Sequence, residues 1–257
     1  MPSKRFLVLL ILNIIMFAAT VGINSLAGAT TLLNGKSTGQ VSDSNLTLVT
    51  PQGFTFSIWS VIYILLGAFA VYQILPKNRD KPFNNRISFL FILSCLLNVS
   101  WIFLWQYGLF AYSVVLIFGL LASLIAIYIR LNISHTAVSL GERICVQLPF
   151  SVYMGWITVA SIANVAVGLT AAGWNGFGIA DSTWAALVIA VALVITVLII
   201  ATRKDVAYSL VIIWALFGIM SKQSANKTVF WATGISIILI VVALAVMIIA
   251  SRAKRKN

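Results

Sequence analysis

Three uncharged stretches of this 257-residue chain carry aromatic rings, amides and small residues at helical spacing. In the first, Trp59, Tyr63 and Gly67 stand four residues apart. A second repeats the pattern with Ser94, Asn98, Trp101 and Trp105, and a third with Tyr153, Trp156, Ala160 and Asn164. Side chains three, four and seven residues apart share one face of an α-helix, so each set is a single stripe. Indole and phenol rings offer stacking area, amides offer donors and acceptors, and small residues leave room. That combination is the natural lining of a shared aromatic cavity. No carboxylate pair, Ser–His arrangement or Gly-rich phosphate loop occurs in these stretches, so no catalytic residue is assigned. Cys95 and Cys145 have no close-set partner and His135 stands alone in a loop, so no metal site or bound cofactor is assigned either.

The elements that position such stripes follow from composition. The chain is 61% hydrophobic and 9% charged, and its mean hydropathy is +1.05. A soluble fold of this length cannot hide so much apolar surface, which makes lipid the solvent and excludes soluble enzymes and nucleic-acid binders. The fold class is an all-α integral membrane protein. Charges divide the sequence into uncharged runs that fit eight spans of roughly 20 residues. They lie near Phe6–Ile23, Gly53–Leu75, Ile87–Gln106, Phe110–Ile129, Leu148–Leu169, Trp184–Ala201, Val206–Ser221 and Val229–Ile249. Gln106-Tyr-Gly108 supplies the turn between the third and fourth, and Pro76 to Arg86 reads as a plain basic turn.

Eight spans with a cytoplasmic start put 14 of the 17 Lys and Arg inside and only Lys36, Lys222 and Lys227 outside. This asymmetry obeys the positive-inside rule, places both ends in the cytoplasm and makes the plasma membrane the expected location. The tail Arg252-Ala-Lys-Arg-Lys reads as an anchor beside anionic lipid, not a nucleic-acid patch. No ionisable residue lies in the middle of a span, which disfavours an ion-coupled pump. Polar residues within spans face the bundle interior. The three stripes therefore meet in one cavity in the outer half of the membrane, beneath a long loop at residues 24–50. Trp105, Trp174, Trp184 and Trp231 are expected in the interfacial belt.

These residues also carry a resemblance. Pro51-Gln-Gly-Phe-Thr-Phe-Ser-Ile-Trp59-Ser-Val-Ile-Tyr63-Ile-Leu-Leu-Gly67 resembles the P-x7-W-x3-Y-x3-G signature of the tryptophan-rich sensory protein or translocator protein (TspO/MBR) family. Asn98-Val-Ser-Trp101 is similar to that family's third-helix element, and Leu148-Pro149-Phe150 followed by Trp156-x3-Ala160-x3-Asn164 to its fifth. One proline stands where two are usual, and the spacing from Pro149 to Trp156 carries an insertion. The resemblance implies a five-helix core at residues 1–170 whose pocket takes porphyrins and other flat hydrophobic molecules under a first-loop lid. It implies ligand contact at Trp59, Asn98, Trp101, Trp156, Ala160 and Asn164; spacing adds Tyr63 and Tyr153. Residues 171–257 are then a three-helix extension.

The expected function is a membrane receptor or carrier for a tetrapyrrole-like ligand, in transport or sensing. A small-solute transporter without ion coupling and a regulatory subunit are the alternatives. The expected partners are the bilayer, the hydrophobic ligand and a second copy of the chain in a homodimer. Asn98 and Asn164 are expected to bond ligand edges, and Lys36 is the one nearby cation for a ligand carboxylate.

Overall fold

The structure, a computed structural model, describes residues 4–253, with side chains from Leu7 onward. Lys254, Arg255 and Lys256 of the basic tail lie outside the described residues. α1 (Lys4–Ala29) leads to a short helix α2 (Thr38–Ser44), and a 3-10 turn (Gly53–Ser57) opens into α3 (Ile58–Ile74). After a loop helix α4 (Pro82–Ile87) come α5 (Leu90–Gln106) and α6 (Phe110–Leu131). The one-turn α7 (Leu140–Glu142) and a π turn (Arg143–Gln147) run without a break into α8 (Leu148–Ala171). α9 (Asp181–Arg203), α10 (Val206–Lys222) and α11 (Lys227–Ala253) follow.

The chain is a multi-pass integral membrane protein. Among the described residues, 6 helical segments are long and apolar enough to cross a bilayer, and α5 and α10 are apolar but shorter, at 17 residues each. Seventeen residues rise about 26 Å, close to the hydrocarbon thickness. Helices satisfy their own backbone groups, which hydrocarbon cannot do. Buried hydroxyls do the same: Ser94, Ser123 and Thr196 donate to carbonyls of their own helices at 2.7 Å.

Two element boundaries differ from the sequence expectation. The third span was expected from Ile87, but Ser88 adopts φ 47° and ψ −135° and the helix begins at Leu90. The stretch before it is more than a basic turn, because Phe83 and Ile87 of α4 are each 1% exposed and pack into the core. The fifth span begins eight residues before Leu148, at Leu140. Pro149 has no N–H to donate and its ring would clash with the carbonyl four residues back, and the wider π turn ahead of it keeps the helix continuous. Gly108, at φ 73°, makes the expected turn between α5 and α6.

α1, α3, α8, α6 and α5 form a closed ring, each packing on the next and α5 returning to α1. Amides fasten it across helices. Asn24 on α1 bonds Asn98 on α5, and Asn98 donates to the Tyr153 hydroxyl on α8 at 2.8 Å. Bonds of this kind contribute about 0.6–2 kcal/mol each in lipid. Gly67 faces α1, where an added β-carbon would lie 3.4 Å from the Phe17 ring.

α10 lies against α8, and α9 and α11 pack on α10 and on each other. Gly155 makes this approach close: a β-carbon there would stand 3.2 Å from the Tyr208 carbonyl oxygen. Asp205, 3% exposed, caps α10 by accepting from the Tyr208 N–H at 3.1 Å. Its carboxylate also accepts from the Tyr128 hydroxyl on α6 at 2.8 Å and from Ser151 on α8 at 2.7 Å. Residues 171–253 are thus fastened to the ring by a buried acid and a glycine notch.

Candidate functional site

The three stripes converge. Trp59 and Tyr63 are one turn apart on α3 and their rings stack at 5.6 Å and 19°. Trp59 stacks in turn on Trp101 of α5 at 6.2 Å, and Trp101 on Trp105 at 5.9 Å. The result is a ladder of four roughly parallel rings running from α3 to α5. Trp156 of α8 meets Trp59 edge-on at 6.1 Å and 83°, and Phe56 meets Trp156 in the same way. Offset and edge-on pairs of this kind contribute about 0.5–1.5 kcal/mol each beyond burial.

Two cavities flank Trp59. An aromatic pocket of about 50 Å³ lies among Trp59, Trp101, Trp105, Trp156, Ala160 and Asn164, and is bordered on the loop side by Thr38 and Ser42 of α2 and by Thr50 and Pro51. A larger vestibule of about 400 Å³ lies between α1 and α3, bordered by Asn24, Ser25, Ser60 and Tyr63. Phe56, Trp59 and Thr38 border both. Ligand sites commonly enclose about 300–1,000 Å³, so the vestibule is of that size and the aromatic pocket alone is not. Trp59 is one of the three residues that separate them. Among the described residues, none that lines either cavity is charged.

The predicted site residues separate into two groups. Trp59, Trp101, Trp156, Ala160 and Asn164 border the aromatic pocket, and Tyr63 borders the vestibule. Asn98 and Tyr153 border neither cavity; they are 0% and 2% exposed and brace the ring from behind the tryptophans. Asn164 is at the wall, but its carbonyl accepts from Trp101 Nε1 at 2.7 Å and its amide donates to Ser113 at 2.8 Å. Lys36 is exposed, bonds Ser44 at 3.2 Å and lines neither cavity.

One pocket residue was assigned to the wrong place from sequence. Trp105 is not a belt residue: it is 6% exposed, stacked on Trp101 and part of the pocket wall. The signal was present, since Trp105 stands four residues after Trp101 on the same stripe. Its position near a helix end pointed the other way. Trp231, by contrast, is 63% exposed on α11.

Three buried polar atoms of cavity-lining residues lack a protein partner: the indole N–H groups of Trp105 and Trp156 and the hydroxyl of Tyr63. A buried donor without an acceptor costs about 1–3 kcal/mol. Both indoles belong to residues of the pocket wall, so two donors without an acceptor lie beside the aromatic pocket.

A family model described as TSPO-like protein matches residues 10–247. The match crosses the expected boundary at residue 170 and takes in most of the last three helices. No curated protein and no solved structure matches the chain.

Proposed function

The chain belongs to the TSPO-like family, and from that premise we propose that it is a membrane receptor or carrier for a flat, acceptor-bearing hydrophobic ligand of the tetrapyrrole class. The observation that carries this reading is the four-ring ladder with two unfilled indole donors beside it. A planar ring system gains dispersion contact from each indole face, and its acceptors take the Trp105 and Trp156 N–H groups. A macrocycle needs more than 50 Å³, so binding joins the pocket to the vestibule by rotation of Trp59, part of the wall they share. The uncharged lining favours ligands whose carboxylates are neutralised or remain outside.

Eight spans with both ends in the cytoplasm are part of the same proposal, with the lid on the outer face of the plasma membrane. The charge asymmetry supports this orientation, and α5 and α10 reach across as 17-residue helices if the bilayer thins slightly around them.

Titration of purified protein with protoporphyrin IX and with its neutral dimethyl ester, followed by quenching of tryptophan fluorescence, tests the reading. Saturable quenching by both is expected, with the ester binding at least as tightly as the diacid. No saturable quenching by either overturns it.

A further inference from the structure

The lid segment is held from two sides. Its first half is tied to the end of α5, where the Asn34 amide donates to the Gln106 carbonyl at 2.8 Å and the Gln106 amide donates to the Lys36 carbonyl at 2.9 Å. Its second half rests on α10. Lys222 pairs with Asp43 of α2 at 2.8 Å, and the Gln223 amide donates to the Thr47 carbonyl at 3.3 Å. The Gln52 N–H donates to the Gly218 carbonyl at 3.0 Å, and Trp214 Nε1 donates to the Thr55 carbonyl at 3.0 Å. Phe54 packs on Trp214 and Phe217 at 5.3 and 6.0 Å. Thr55 is fully buried, and its side chain sits so close to Gly218 that any β-carbon there would collide with it.

We propose that α10 is the latch of the lid: Trp214, Gly218, Lys222 and Gln223 hold the second half of the roof over the aromatic pocket and set the rate at which ligand passes beneath it. Thr50 and Pro51, which border the pocket on the loop side, lie between the Thr47 and Gln52 anchor points, so the latch acts on that border itself. The far end of α10 is fixed to α6 and α8 by Asp205 and by the notch at Gly155, which receives Tyr208 and Val211, so α10 is a support referenced to the ring. The lid side of α10 is accordingly a positioning element of the site, supplied by the segment beyond residue 170. This deepens the ligand-binding reading and rests on it for what passes under the lid; the latch itself is a property of the unliganded protein.

Amide hydrogen exchange of the unliganded full chain in lipid nanodiscs tests it, read over residues 38–52. Gly218→Ala pushes Thr55 off α10 and is expected to speed exchange there about tenfold or more, with the amides of α5 and α8 unchanged. Lys222→Glu is expected to speed it about two- to fivefold, the small effect of an exposed pair, and adding Asp43→Lys should restore it. Unchanged lid exchange in folded Gly218→Ala overturns the latch. Should Gly218→Ala fail to fold, the charge pair decides: a double variant no closer to wild type than Lys222→Glu alone overturns it. A loosened lid with no change in the association rate of protoporphyrin IX keeps the latch and overturns the ligand route beneath it.

Discussion

Trp101 Nε1 donates to the carbonyl of Asn164 across 2.7 Å, tying the centre of the ring ladder on α5 to α8. Ser113 of α6 completes the amide's bonding, accepting from it at 2.8 Å. Asn164 thus holds an indole plane in the pocket wall. Asn164→Leu leaves the Trp101 N–H without a partner in the core, whereas the Ser113 hydroxyl keeps its bond to the Phe110 carbonyl at 2.8 Å. The expected outcome is weaker binding by a similar factor for protoporphyrin IX and its dimethyl ester, measured by fluorescence titration. A selective loss for the diacid would instead make Asn164 a ligand contact.

The tryptophans are expected to differ by position. Trp101→Ala, Trp105→Ala and Trp156→Ala each remove pocket wall and should weaken binding by ~1–3 kcal/mol, roughly 5- to 150-fold. Trp231→Ala, on the exposed face of α11, should leave affinity unchanged. Trp59→Ala removes both a stacking surface and part of the partition, so stopped-flow quenching should show faster association together with lower affinity.

Much of this site was legible in the residues. Helical spacing within uncharged runs was enough to place Trp59, Trp101, Trp156 and Ala160 on one cavity, because in lipid a stripe of aromatic and small residues has only the bundle interior to face. Periodicity gives a face but not a depth. Asn98 and Asn164 lie on the right stripes, yet their partners Asn24, Tyr153 and Ser113 are on other helices, and no spacing rule reveals a cross-helix bond. Trp105 was misplaced because an indole near a helix end has two good environments. The role of α10 was hidden for a similar reason: its anchors at Asp43, Thr47, Gln52 and Thr55 are more than 150 residues away in sequence.

Truncation after Ala172 tests the proposed division between residues 1–170 and the rest. The shortened chain is expected to insert and to bind porphyrin, but with faster dissociation, since the lid loses Lys222, Gln223, Trp214 and Gly218. Dissociation rates from stopped-flow displacement provide the check. Correct insertion without any binding would make the last three helices part of the pocket itself.

Topology is open to thiol labelling. With Cys95 and Cys145 replaced, single cysteines at Lys36 and Asn175 should react with an impermeant reagent from outside, and one at Lys256 should not. Protection of both outer sites would reverse or reduce the proposed spans.

The pocket itself is tested most directly by Ala160→Phe. Ala160 lines the cavity beside Trp156 and Asn164, and a phenyl group there fills the space without altering the lipid-facing surface. Parallel quenching titrations of wild type and Ala160→Phe with protoporphyrin IX should give saturable one-site binding in the first and none in the second. Equal saturable quenching in both would place the ligand outside the aromatic pocket and contradict the account.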